Sequence, residues 1–213
     1  GLFLNMIEFN EPIGNWNTSN VTDMNSMFLD AINFNQDISQ WNTSNVTDMT
    51  SMFFNAIKFN KPIGNWDTSN VTSLNSTFNF ALRFNQYIGN WNTSNVKNME
   101  VMFAAARNFN HPIGKWDTSN VTNMESMFSG ASKFNQCINN WNVSNVKDMS
   151  DMFHKAIKFN KPLHNWNTNN VINMSGMFYD AKSFNNDISI WDVSNVFNST
   201  DMFRGAFKMK TEY

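Results

Sequence analysis

A tryptophan recurs every 25 residues through this chain, and that period restricts the possible folds more than any other feature. Trp16, Trp41, Trp66, Trp91, Trp116, Trp141, Trp166 and Trp191 follow one another without a single insertion. Counted from each Trp, Asn recurs at +4 (Asn20 to Asn195), Val at +5 (Val21 to Val196), Phe at +12 (Phe28 to Phe203) and Ala at +15 (Ala31 to Ala206). A Phe-Asn pair, as in Phe34-Asn35, completes the unit. A strict period of this length specifies a solenoid, in which each copy buries its apolar face against the next. The prolines, Pro12, Pro62, Pro112 and Pro162, fall only in alternate copies. A 50-residue pair therefore underlies the array.

Within a copy, Val21, Met24, Met27, Phe28 and Ala31 are apolar at spacings of three and four, which predicts a helix over 20–31. Ser19 or Asn20 would cap it, with Asp23 as a capping-box partner. The segment 38–43, Ile38 to Thr43, is the one stretch with strand character. The expected fold class is thus α/β: a right-handed solenoid of eight 25-residue coils, each with one short parallel strand and one helix. Strands stacked at about 4.8 Å would give a body roughly 40 Å long. One conflict stands: Ile38 and Trp41 are three apart, so a regular strand would send them to opposite faces.

Asparagine is unusually frequent, 40 of 213 residues, and its invariance in the copies needs a cause. The Asn20 and Asn35 series could form buried ladders that satisfy backbone groups at the coil corners. Alternatively, Asn supplies caps and left-handed turn residues. The Trp column is open in the same way. It is either a spine inside the solenoid or an exposed aromatic stripe. Eight exposed Trp would make a very large apolar patch, which favours the interior.

The string Trp41-Asn42-Thr43-Ser44-Asn45-Val46-Thr47-Asp48-Met49-Thr50-Ser51-Met52-Phe53, followed by Ala56, Phe59 and Asn60, resembles the BspA-like leucine-rich repeat proteins. It is most similar to their branch of unknown function in mycoplasma surface lipoproteins, with similar arrays in giant viruses and protists. The resemblance spans essentially the whole chain. It implies a leucine-rich-repeat-like solenoid and, more loosely, a surface or adhesion role.

Other features narrow the function. A net charge of −2 argues against a dedicated nucleic-acid binder. The longest apolar run, Val101 to Ala106, is far too short to span a membrane. Cys137 stands alone, so no internal disulfide forms. His111, His154 and His164 occupy different repeat phases and have no helical metal spacing, so neither a metal nor another cofactor is expected. No nucleophile elbow, phosphate loop or carboxylate pair appears, and an enzyme is not expected. Charge is uneven: residues 1–57 hold six acids and no Lys or Arg, and the rest holds 15 bases and 11 acids, giving −6 and +4. That asymmetry either favours end-to-end contacts or reflects drift of exposed positions.

Residues 1–213 read as a single repeat domain, with a partial copy at 1–10 and a degenerate end at 199–213. The opening in mid-repeat suggests a piece of a longer array, leaving open a signal or anchor outside it. Candidate variable positions, one per coil, are Glu11, Gln36, Lys61, Gln86, His111, Gln136, Lys161 and Asn186, expected to face solvent as one line. Beside it runs Pro12, Asp37, Pro62, Tyr87, Pro112, Cys137, Pro162 and Asp187. The expected function is a non-catalytic scaffold, displayed on a cell or virion surface, binding protein or glycan through this column. The alternative is a structural part of a virion or surface layer that packs against copies of itself.

Overall fold

The computed structural model describes residues 1–210. Consecutive copies stack in register. Parallel bridges link Asp23 to Asp48, Asp48 to Ser73, and so on to Asn173 with Asn198, always 25 residues apart. The repeat organisation therefore holds along the described chain. The expected secondary structure does not. No helix occurs over 20–31 or in any equivalent stretch, and 38–43 is not a strand. The α/β class, with one strand and one helix per coil, is overturned: each coil is a succession of tight turns.

The backbone hydrogen bonds give the reason. The N–H groups of Met24, Ser26, Phe28 and Asp30 donate to the carbonyls of Asp48, Thr50, Met52 and Phe54 in the next coil, at 2.9–3.0 Å. The intervening Met27, Leu29 and Ala31 N–H groups close turns onto Met24, Ser26 and Phe28, three residues back, at 3.0–3.3 Å. Half of the donors therefore point along the stack, where an α-helix would keep them all within itself. The spacing of the coils requires this. Equivalent phenyl rings, from Phe3 and Phe28 through to Phe178 and Phe203, lie 5.4–5.7 Å apart. A helix with its side chains is about 10 Å wide, so helices cannot stack at that pitch.

Two residues per coil make the turns possible by taking positive φ. Ser26 (φ 53) and Asp30 (φ 59) are followed by Ser51 and Asn55, Ser76 and Phe80, Val101 and Ala105, Ser126 and Gly130, and so on to Asp201 and Gly205. Most are Ser, Asp, Asn or Gly, and Asp, Asn and Gly are the types that tolerate the left-handed region best.

The apolar spacing of three that suggested a helix is the spacing of turn ends. Trp41 N–H closes onto Ile38 O at 3.1 Å, Val46 onto Thr43 at 2.9 Å, and Phe34 onto Ala31 at 3.0 Å. The two ends of such a turn are close together and both side chains point inward. This removes the conflict between Ile38 and Trp41, which are both buried. The core is a set of columns. Phe28, Phe53, Phe103, Phe128, Phe153 and Phe178 are fully buried, and each stacks on the second Phe of its own coil at 3.9–4.1 Å. Each buried Phe contributes on the order of 1.5–3 kcal/mol.

Trp41 to Trp191 are interior as well, and each indole N–H donates to the carbonyl of the Ile or Leu 28 residues earlier. Trp16 differs, being 42% exposed. Of the expected end at 199–213, residues 211–213 lie outside those described. No helix of the described residues is long and apolar enough to cross a membrane.

Candidate functional site

Both Asn series form ladders, but at the surface edges. In the Asn35 series each side-chain Oδ1 accepts the N–H of the same Asn one coil on, from Asn10 to Asn35 through to Asn160 and Asn185, at 2.8–3.0 Å. In the Asn20 series the amide Nδ2 of every member from Asn45 to Asn195 donates to a corner carbonyl of the coil before, as Asn95 does to Ser69 O at 2.7 Å. The expected burial of Asn95 is not observed: it is exposed. A third ladder has no counterpart in the sequence reading. Buried Thr18, Thr43, Thr68, Thr93, Thr118 and Thr168 donate their hydroxyls to carbonyls of the following coil. Threonine two residues after Trp was the available signal, but Val143 and Val193 replace it in two copies.

The variable column is brought onto one line, though not as freely solvated side chains. Glu11 is exposed, whereas Gln36, Lys61, Gln86, His111, Gln136, Lys161 and Asn186 are half-buried. Most of the uncharged members reach back to the Asn ladder. Gln36 Nε2 donates to Asn10 O at 2.7 Å, and Gln136 Nε2 to Asn110 O at 2.8 Å. Gln86 Nε2 donates to Asn60 O at 3.1 Å and to its Oδ1 at 2.9 Å. Asn186 Nδ2 donates to Asn160 Oδ1 at 2.7 Å. His111 Nε2 lies 3.1 Å from Asn85 O, a contact that needs the proton on Nε2. The expectation that this column simply faces water is therefore corrected: donors are favoured there because the coil beneath offers oxygen acceptors. Lys61 and Lys161 are in no ion pair among the described residues.

The adjoining column is the exposed one, with all but half-buried Pro162 open to solvent. Its largest member is Tyr87, 39% exposed. The Tyr87 hydroxyl donates to Asn90 Oδ1 at 3.1 Å, and the ring meets His111 edge-on at 6.3 Å. Open hollows flank it. One, of about 220 Å³, is lined by Pro62, Gly64, Asn65, Gln86, Tyr87 and Asn90. The other, of about 480 Å³, is lined by Tyr87, Gly89, Pro112, Gly114, Lys115, Gln136, Cys137 and Asn140. No carboxylate lines either.

Acidity follows local turns elsewhere. Ser69 and Ser119, through hydroxyl and backbone N–H, hold the Asp67 and Asp117 carboxyls below the usual range. Glu125 is pushed up, mainly by burial and then by Asp148, Glu100 and Asp151. His154 Nδ1 lies 2.9 Å from Asp151, and His164 Nε2 3.2 Å from Asn139 Nδ2. Among the described residues no three His, Cys, Asp or Glu side chains group as metal ligands.

These turn-built coils, with invariant Trp, Val, Phe and Ala inside and Asn at the edges, define a tandem-repeat protein. The chain belongs to the family described as "Mycoplasma protein of unknown function, DUF285", which matches residues 1–66 and 106–213. No curated protein matches it. Among solved structures it is similar to the TLR13–ssRNA13 complex, at 11% identity and a TM-score of 0.32, covering 83% of this chain and 27% of that one. It is also similar to an internalin (inlF) from Listeria monocytogenes, at 10% identity and a TM-score of 0.20, covering 86% and 74%. The chain thus spans about a quarter of the TLR13 chain.

Proposed function

We propose that this protein is a non-catalytic binding scaffold, displayed outside the cell, that engages protein or glycan along the paired columns beginning at Glu11 and Pro12. One observation carries the reading: in these columns side chains change from coil to coil while the Trp, Val, Phe and Ala of the interior and the Asn of the ladders do not, and coils stacked one period apart set the changing residues in line. Such a line offers an extended partner one contact per coil. The resemblance to BspA-like repeat proteins supports the surface role. Lys61, His111 and Lys161 recur at 50-residue intervals, which suits an anionic partner better than a cationic one.

The test is charge reversal, Lys61→Glu together with Lys161→Glu, followed by a binding screen at low and moderate salt. The reading requires weaker binding and a shallower salt dependence for the double variant. Unchanged affinity and unchanged salt dependence would remove these columns as the interface.

A further inference from the structure

Three consecutive glycines reshape the surface beside Tyr87. The residue two before each Trp is Gly14, Ser39, Gly64, Gly89, Gly114, Asn139, His164 and Ser189. Only at 64, 89 and 114 do neighbouring coils all lack a side chain there. Close approach of the coils excludes one. A Cβ on Gly64 would collide with the Tyr87 carbonyl oxygen, and one on Gly114 would lie about 2.5 Å from the Cys137 carbonyl. The result is a trough three coils long, roughly 15 Å at a coil rise of about 4.8 Å. Tyr87, its hydroxyl bonded to Asn90, divides the trough into two hollows, one lined by Pro62, Gly64 and Asn65 and the other by Pro112, Gly114 and Lys115.

Tyr87 stands in this trough in a fixed pose. A Cβ on Gly89 would lie 2.8 Å from ring carbon Cε2 and 2.9 Å from Oη, so the ring rests on the glycine backbone. The hydroxyl is tied to Asn90. A ring held in this way, with 39% of the residue still open to solvent, is a flat platform whose ordering cost has been met before a ligand arrives.

We infer that this trough binds a short anionic oligosaccharide, one sugar face lying on Tyr87 and a carboxylate directed to Lys115; the inference rests on the scaffold reading above and names its ligand. The chemistry matches on each side. The apolar face of a pyranose packs on an aromatic ring that also carries a polar tip. The amides of Asn65 and Asn140, with Asn90 Nδ2 and Gln136 Oε1 beside them, offer the donors and acceptors that vicinal hydroxyls require. Lys115 is in no ion pair among the described residues, and no acid lines either hollow. A folded protein would need a broader apolar anchor than this narrow, amide-lined trough provides.

The test titrates the protein with trigalacturonic acid, 3′-sialyllactose and uncharged chitotriose, read by saturation-transfer NMR and calorimetry. At least one acidic sugar should bind more tightly than chitotriose. Tyr87→Ala should weaken that binding by about tenfold, Tyr87→Phe should stay within about threefold because the ring remains, and Lys115→Gln should erase the preference for the acidic sugar. Thermal melts check that each variant is folded. Tyr87→Ala binding that matches the wild type would overturn the site. So would failure of all three sugars at millimolar concentration. If the sugars fail while a protein partner is lost on reversing Lys61 and Lys161, the glycan assignment falls and the scaffold reading stands. If sugars and partners both fail, both fall.

Discussion

The indole N–H of Trp141 donates to the carbonyl oxygen of Ile113, 28 residues earlier, at 3.1 Å. Both residues are buried. The bond ties one coil to the turn that opens the coil before it, and it recurs for every Trp from Trp41 to Trp191. Tryptophan is thus demanded twice, for its volume and for its single donor. Trp141→Phe would keep an aromatic ring and leave the Ile113 carbonyl with the Trp116 N–H alone, at 3.2 Å. We expect a loss of about 0.5–1.5 kcal/mol beyond the volume change, measured by denaturant unfolding. A loss no larger than that of Ile113→Val would show that the bond contributes little.

Phe103 tests the packing of the columns. It is fully buried and stacks on Phe78, Phe109 and Phe128 at 5.6, 4.1 and 5.7 Å. Coils held on both sides by hydrogen bonds have little room to collapse into a void. Phe103→Ala is therefore expected to cost about 3–5 kcal/mol. A denaturant-derived loss under about 1 kcal/mol would contradict so rigid a stack.

The Asn ladder makes a prediction about rank. Asn60 Oδ1 accepts from both Asn85 N–H and Gln86 Nε2 at 2.9 Å. Asn95 makes one exposed bond to a carbonyl that water can reach. Asn60→Ala should destabilise by about 1–3 kcal/mol, and Asn95→Ala by less. Combining Asn60→Ala with Gln86→Ala should cost less than the two single losses added, because they share a bond. Additive losses would show that Gln86 does not depend on the ladder.

Glu125 gives the pH dependence. Burial and its acidic neighbours raise its folded pKa above the ordinary value of 4.5. The folded state then binds a proton more tightly than the unfolded state, so the charged form weighs against folding. That penalty is complete above the folded pKa and disappears as pH falls below about 4.5. Glu125→Gln should raise the melting temperature at pH 7, and the gain should shrink on acidification. The opposite trend would mean that its charge is stabilised where it sits.

Much of this architecture is written in the spacing of residues, and the part that is not has a definite cause. Trp, Val, Phe and Ala at fixed offsets are enough to show stacking copies and an interior. The helix expected over 20–31 failed because Met24, Phe28 and Ala31 have the same spacing in a helix and at the ends of successive turns. What distinguishes the two is the left-handed pair. Ser26 and Asp30 recur as Ser, Asp, Asn or Gly in most coils, a pattern that a helix interior does not require. The variable column was legible as a line, but its bonds to the Asn ladder were not, because Gln86 and Asn60 become neighbours only when coils stack one period apart. The trough beside Tyr87 depends on three glycines separated by 25 residues, which become a surface feature only in the stacked solenoid.

The left-handed pair also yields the sharpest test of the turn-built coil. Val101 has φ 48, although a β-branched side chain crowds its own backbone there. Its N–H still donates to Glu125 O at 2.8 Å, so stacking holds the residue in place. The equivalent Ser126, at φ 54, bears less strain. Val101→Asn keeps the backbone bond and should relieve on the order of 1–2 kcal/mol, seen as a higher melting temperature. The reverse change, Ser126→Val, should cost about as much. In a helix Val101→Asn would instead cost stability, since Asn has no better helix propensity than Val and gives up packing, and Ser126→Val would be near neutral. Destabilisation by Val101→Asn with Ser126→Val neutral would therefore contradict the turn conformation itself.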